Sequence, residues 1–424
     1  MSQLELIPSV LPDHKLPTNL TARNFGTHRW FNFIAGFSPE LVSNEINEAR
    51  LGNGDSLIDP FAGAGTALVE ANRLGLDAVG FEPQPFFLEM ARAKTQTRFL
   101  GAVDQVEELL VSAKPIQQLE DLWSSESSRI FLSKLVDSEN LLLLGGMRLQ
   151  ESKCSGDTLP IFKLVVSRLL ESAAGSQTDG IYKAPTSTKK SRNVQMMMNQ
   201  LFSEIREDIS MAPQDMGHSI IYPYSSENMN TVESNSQSIC VTSPPYLNNF
   251  DFAEMSRMEF YFWGVANNWK EITELVRSKL IINTTTVSAS LRKDYEKWNA
   301  LLPTEFIEKL NPLIEQLAVQ RKVKLGKKEY DSLVIPYFAQ MNSVIKELQR
   351  VLKPDANLHL IVADAALYGV HIKTEELLST LMKNAGFKVI NIKRLRDRGG
   401  RWILDKREGP GVPLGEFHIR AMKK

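Results

Sequence analysis

The stretch from Asp55 to Glu82 constrains this chain more than any other. SLID is a short apolar run closed by Asp59-Pro60, FAGAGT is a glycine turn, ALVEANRLG has helical spacing and a terminal glycine, and DAVGFEP is a second short strand. An apolar-rich helix is then expected over Phe86–Leu100. Two strand-to-helix units so close together require parallel strands joined by right-handed crossovers, the opening of a doubly wound sheet. HSIIYPY and SICVTSPPY bring strand character back. NLHLIVADA reads as a strand buried on both faces, after a helix over Phe338–Leu352 that stops at Lys353-Pro354. A helix over Thr374–Ala385 with a glycine stop, then the strands FKVINIKRL and GEFHIRAM, complete the series. The fold class is therefore α/β: a doubly wound, Rossmann-like sheet, mostly parallel with an antiparallel C-terminal strand, carrying mostly helical insertions.

The 424 residues exceed a single small domain. Five parts are expected: 1–100 with the glycine turn, a helical insertion over 101–217, a strand and its loop over 218–262, a second helical insertion over 263–328, and the remaining sheet over 329–424. Gly175–Asn193 is polar and poor in apolar residues, and reads as a mobile loop. No internal repeat is found. Lys and Arg number 49 against 50 Asp and Glu, so no global basic field exists and a polyanion must be met by local patches. Two cysteines, Cys154 and Cys240, exclude a disulfide framework and a four-cysteine zinc site and point to a reducing compartment. No apolar run approaches a membrane span and the first residues lack the pattern of a signal peptide, so a soluble, cytoplasmic protein is expected, without a membrane partner.

Gly63 and Gly65 let the backbone turn tightly and approach a ligand at the positive end of the following helix. Glu82, 17 residues beyond Gly65, ends the next strand, where an acid accepts hydrogen bonds from both hydroxyls of a ribose. Thr66-Ala67 follows Gly65 without the third glycine that a dinucleotide turn carries next, so a mononucleotide-like cofactor fits better. The loop Thr242–Asp251 follows its strand directly. Pro244 and Pro245 fix φ twice and remove two N–H donors, leaving a rigid run of carbonyl acceptors. A carbonyl and the Ser243 hydroxyl can engage the two protons of an exocyclic amino group, and Tyr246 offers a stacking face. No histidine pairs with acids or cysteines at metal spacing, so no metal is expected. Cys240 and Met196–Met198 read as core filler, His28 as a structural hydrogen-bonder, and Asp251 as a loop-orienting group or a helix N-cap.

Together these residues resemble the S-adenosylmethionine-dependent DNA amino-methyltransferases. DPFAGAGT resembles that family's cofactor motif, and TSPPY its catalytic motif in the form associated with N4-cytosine methylation. HRWFNFIAGFSPELV, YLNNFDFAEMSRMEFYFWG, RVLKP and LIVADA are also similar to members. The resemblance implies a methyltransferase sheet with S-adenosylmethionine held by Phe31, Asp59, Pro60, Phe61, Gly63, Gly65, Thr66, Glu82 and Ser225. It implies Ser243, Pro244, Pro245 and Tyr246 as the catalytic residues. Pro223-Tyr224-Ser225 departs from the Gly-Asp-Ser of many relatives, so the contact to the adenine ring falls to Ser225, Ser226 or elsewhere. The implied reaction is methylation of the N4 of a flipped cytosine in double-stranded DNA, as the modification part of a restriction or defence system with a cognate endonuclease, in the nucleoid of a bacterium or archaeon. N6-adenine methylation is the runner-up. An RNA methyltransferase and a silent nucleic-acid-binding partner are more distant alternatives. Asn248, Arg321, Lys322, Lys324, Arg394 and Arg396 are the candidate DNA contacts, chosen from the loop and from two basic stretches, Arg321–Lys328 and Lys393–Arg407, which a solvated charged face explains equally well.

Overall fold

A computed structural model describes residues 12, 15–24, 26–175, 192–398 and 413–424, the side chains of 23 and 24 excepted. Seven strands form one sheet: β1 (Ser56–Asp59), β2 (Asp77–Phe81), β3 (Ser219–Tyr222), β4 (Gln237–Thr242), β5 (Leu352–Ala363), β8 (Phe387–Asp397) and β9 (Gly415–Lys423). A separate hairpin joins β6 (Ala365–Leu367) to β7 (Val370–Ile372). The spatial order is β3-β2-β1-β4-β5-β9-β8, parallel from β3 to β5, with β9 antiparallel to both its neighbours. The order reverses between β1 and β4, which places their C-terminal tips at the switch point where such sheets bind ligands.

Both faces of the sheet are covered, and the alternation along each strand shows how. Leu57, Ala78, Ile239, Val241 and Ile361 pack beneath the helices Pro39–Glu48, Thr66–Arg73 and Pro85–Gln96. Ile58, Phe81, Cys240, Leu358 and Leu360 face the helices Val334–Val351 and Thr374–Asn384. Cys240 is a buried core residue whose thiol burial pushes up. The helix expected over Phe86–Leu100 is two: Pro85–Gln96, then Leu100–Val111 after a break at Thr97.

A second core is entirely helical. Helices between Leu100 and Met211 enclose Phe162, Leu164, Val165, Leu169 and Phe202, and rest on the sheet domain through Phe86, Phe87 and Met90. Met258–Val276 joins this core, whereas Ile281–Leu317 packs against the sheet core. Met198 is buried there, but Met196 is 73% exposed, which removes it from the core filler. The loop expected over Gly175–Asn193 lies mostly outside the described residues. No helix among the described residues is long and apolar enough to cross a membrane.

Candidate functional site

The tips of β1, β2 and β4 open into one cavity of about 540 Å3. Its wall includes Pro60, Phe61, Gly63 and Glu82 from the glycine-turn side, and Ser243–Tyr246 from the β4 loop. Two motifs 180 residues apart in the chain therefore share a single pocket, of a size common for small-molecule sites.

The glycine turn is built locally. Gly63 has φ +52°, and a Cβ there would lie 2.8 Å from the Phe33 ring, so only glycine leaves the pocket floor clear. Its N–H donates to Glu82 Oε2 at 2.8 Å, and the Gln84 N–H donates to Oε1 at 2.8 Å. Each carboxylate oxygen keeps lone pairs for a ligand, as two ribose hydroxyls require. Burial, with a smaller push from the Asp59 charge, raises the Glu82 carboxyl to about 8, against two backbone hydrogen bonds that lower it. Beneath the turn the buried Lys94 ammonium donates to the Ala64 carbonyl at 2.8 Å, and burial lowers its pKa to about 7.

Several expected cofactor residues act behind the wall. Gly65, at φ +82°, turns its Cα toward Ala91, 3.2 Å from a hypothetical Cβ, and so serves helix packing. Asp59 is buried and accepts from the Phe61 N–H at 2.9 Å and the Thr242 hydroxyl at 2.5 Å, binding the tip of β1 to that of β4. Burial raises its pKa to about 6. Thr66 is buried at the start of its helix, close to Gly36. Phe31 points into the core against Phe86 and Phe87, and its neighbour-but-one Phe33 lines the pocket instead. Ser225 lines the cavity, but its hydroxyl is engaged with Glu227 at 3.1 Å. The adjacent Ser226 hydroxyl is buried in the same wall without a hydrogen-bond partner, the better candidate for a ligand contact.

The β4 loop depends on distant chain. Asn283 Nδ2 donates to the carbonyls of Phe250 at 2.8 Å and Tyr246 at 3.3 Å, while its own carbonyl accepts the Asn248 N–H at 2.7 Å. Asp251 is a buried N-cap of the turn Phe252–Met255, paired with the buried Arg277 at 2.9 Å and accepting from Thr286 at 2.7 Å. Asp251 thus fits both readings, a loop-orienting group and a helix N-cap, and it is buried. Over the Tyr246 ring lies the Arg398 guanidinium, 5.7 Å from the centroid and hydrogen-bonded to Asn249 at 3.0 Å. Burial and the nearby Glu416 carboxylate raise the Tyr246 phenol, which hydrogen-bonds the Ser243 side chain.

The candidate DNA contacts scatter. Arg396 pairs with the buried Glu416 in the cavity wall, so its charge is already met. Arg394 pairs with Asp397 at 2.6 Å on the exposed edge strand, and Arg321 with Asp331 at 2.9 Å. Lys322 is exposed, Lys324 half-buried, and the Asn248 side chain hydrogen-bonds Tyr330. Residues 399–407 of the second basic stretch lie outside those described.

Sequence spacing also hid three histidine–acid pairs. His28 meets Glu70 at 2.9 Å, buried beneath the N-terminal segment as a structural hydrogen-bonder. His371 meets Asp364 at 2.7 Å. His359, His418 and Glu45 gather potential ligand atoms within 4.8 Å of one another, because adjacent strands and a helix converge there. None of the three lines the cavity. His359 Nδ1 lies 3.1 Å from both His418 Nε2 and Glu45 Oε2, and Arg420 lies 3.6 Å from that carboxylate; burial lowers the His359 pKa and raises that of Glu45 to about 7.

The pocket fits a ribose-bearing cofactor on three observations: spare Glu82 lone pairs, a floor that only glycine leaves open, and an orphaned Ser226 hydroxyl. Residues 27–119, which include this turn, match the family model described as RMKL-like, methyltransferase domain. The chain is an S-adenosylmethionine-dependent methyltransferase. The methyltransferase is 25% identical to the Type II methyltransferase M.BsoBI of Geobacillus stearothermophilus, over 92% of this chain and 84% of that protein. It is 22% identical to the Type II methyltransferase M.AvaI of Nostoc, over 86% and 80%. A methyltransferase structure from Methanosarcina mazei covers 89% of this chain and 96% of its own at 10% identity, with a TM-score of 0.30. Strand order and register, not that superposition, define the fold.

Proposed function

We propose that this methyltransferase modifies the exocyclic N4 of cytosine in a specific sequence of double-stranded DNA. One observation carries the reading: the Ser243–Tyr246 loop and the Glu82 pocket open into the same cavity. The resemblance to two Type II methyltransferases supports a modification role beside a cognate endonuclease.

An amino nitrogen conjugated to a base ring is a weak nucleophile and is hidden inside the duplex. Extruding the base costs a few kcal/mol, and stacking on Tyr246 returns about 1–3 kcal/mol. Accepting the two amino protons on the Ser243 hydroxyl and the Pro244 carbonyl turns the nitrogen toward tetrahedral geometry and frees its lone pair. The two prolines hold these acceptors still, and Asn283 fixes the Tyr246 and Phe250 carbonyls of the loop. Bound in the adjoining pocket, S-adenosylmethionine supplies an electrophilic methyl group. Glu82 and Ser226 orient its nucleoside, with Gly63 leaving room. No covalent enzyme intermediate is called for, and the buried Cys240 is placed in the core, not in the loop.

Nucleoside mass spectrometry on DNA from a methylation-free host expressing the protein tests this. N4-methylcytosine is expected. N6-methyladenine would keep the chemistry and change the base, and neither mark would overturn the DNA reading. Tyr246→Ala should lose most methyl transfer while calorimetric cofactor affinity stays near that of the unmodified protein; unchanged transfer would remove the stacking role.

A further inference from the structure

The second insertion ends in a feature that the proposed pocket does not use. The helix Thr304–Val323 closes through two backbone hydrogen bonds, Leu325 N–H to the Lys322 carbonyl at 3.3 Å and Gly326 N–H to the Arg321 carbonyl at 2.9 Å. This is a Schellman closure, whose left-handed position ordinarily takes glycine. Here that position is Leu325, at φ +49°, with the glycine one residue later. A branched side chain is strained in this backbone region, and burial returns nothing, because Leu325 is 89% exposed. Val323 and Val319, on the same helix end, are 69% and 56% exposed. Strain and exposed apolar surface without a folding benefit mark a functional contact.

The surroundings name the chemistry of the partner. Lys322, Lys327 and Lys328, within three residues of Leu325 in the chain, are exposed, so the apolar tip lies in a cationic stretch. The tip is also braced to the catalytic loop. A Cβ on Gly326 would lie 2.2 Å from the Tyr368 hydroxyl, which bonds both the N–H and the carbonyl of Lys328 at 2.9 Å. The Tyr368 ring packs 4.9 Å from Tyr330, and the Tyr330 hydroxyl is hydrogen-bonded to Asn248 in the loop that follows Tyr246. A merely solvated lysine run needs neither the strain nor the brace.

We infer that this tip is the wedge that opens the duplex beside the target base: Leu325 enters the base stack as the target leaves it, and the lysines hold the flanking phosphates. The inference rests on the proposed DNA reading. An apolar side chain between base steps offsets the unstacking that extrusion demands, and cationic contacts supply register without sequence information. Because Tyr330 and Asn248 couple the tip to the loop, insertion of the wedge and positioning of Tyr246 are one rigid arrangement.

The test uses the full chain and a synthetic duplex carrying the sequence found methylated in host DNA. Initial rates are measured on this duplex and on one whose target base faces an abasic site, where extrusion is already easy. Leu325→Gly should lower the rate on the paired duplex by about tenfold or more, equivalent to about 1.4 kcal/mol, and change the rate on the abasic duplex by less than about threefold. Its melting temperature should hold or rise, since glycine relieves the left-handed strain, so misfolding cannot mimic the loss. Full activity of Leu325→Gly on the paired duplex, or equal losses on both duplexes, would overturn the wedge alone. An unmodified protein that methylates neither duplex would overturn the DNA reading and the wedge with it.

Discussion

The glycine turn and the Ser243–Asp251 loop line one cavity, yet they are held in different ways. Asp59 through Lys94 supply almost everything the turn needs: two backbone hydrogen bonds to Glu82, a lysine beneath Ala64, and glycine where no Cβ fits. The Ser243–Asp251 loop is fixed from residues 277, 283, 330 and 398, far along the chain. The Asp59–Thr242 hydrogen bond joins the two at the strand tips. One half is thus a local device and the other a tertiary one, and changes to each should separate binding from turnover.

The largest effect is expected from Arg277→Met. Leaving Asp251 buried without its cation should cost about 3–5 kcal/mol in a denaturant titration and take turnover with it. A loss below 1 kcal/mol would mean that the pair does not fix the loop. Next is Gly63→Val, whose side chain collides with Phe33 at a positive φ; calorimetry should find cofactor binding lost. Gly65→Ala serves as its counterpart, lowering stability through crowding at Ala91 while leaving the affinity of the folded protein largely intact. Comparable affinity losses for both would erase the distinction between pocket floor and helix packing.

Asn283→Ala comes third. Removing the donor to two loop carbonyls should cost about 1–3 kcal/mol, expressed in turnover rather than in cofactor affinity. The smallest effect is a pH dependence from Glu82. Its carboxyl is raised to about 8 in the folded chain against 4.5 ordinarily, so this group lowers the stability of the cofactor-free protein as pH rises from 4.5 to 8. Ribose hydroxyls donate best to the ionised form, so cofactor affinity should strengthen with pH by at most about tenfold per unit and level off above about 8. Glu82→Gln should flatten that profile; an unchanged slope in the variant would assign it to another group.

The resemblance and the spacing found both halves of the cavity, but not what supports the second. Tyr246 announces itself beside two prolines. Asn283 and Arg277 lie in an insertion with no motif, and only their reach into the loop gives them a role. Phe31 and Phe33 are alternatives that the run HRWFNF does not separate, because the choice between core and pocket depends on a backbone path pinned by Trp30 and Arg29 to Asp208. Arg396 and Arg398 look alike in a basic stretch, yet one neutralises Glu416 and the other covers the Tyr246 ring.

By itself the sequence determined the doubly wound sheet and the glycine turn, since alternation of strands and helices, and the need for a missing Cβ, are properties of adjacent residues. It also determined that a rigid acceptor loop follows β4, because proline acts on its own backbone. Only the tertiary structure decided which glycine faces the cavity, which serine hydroxyl stays free for a ligand, and which cations remain available. Those outcomes depend on competition among groups brought together from distant parts of the chain, and a charge or a donor counts as free only after its nearest partner in space is known.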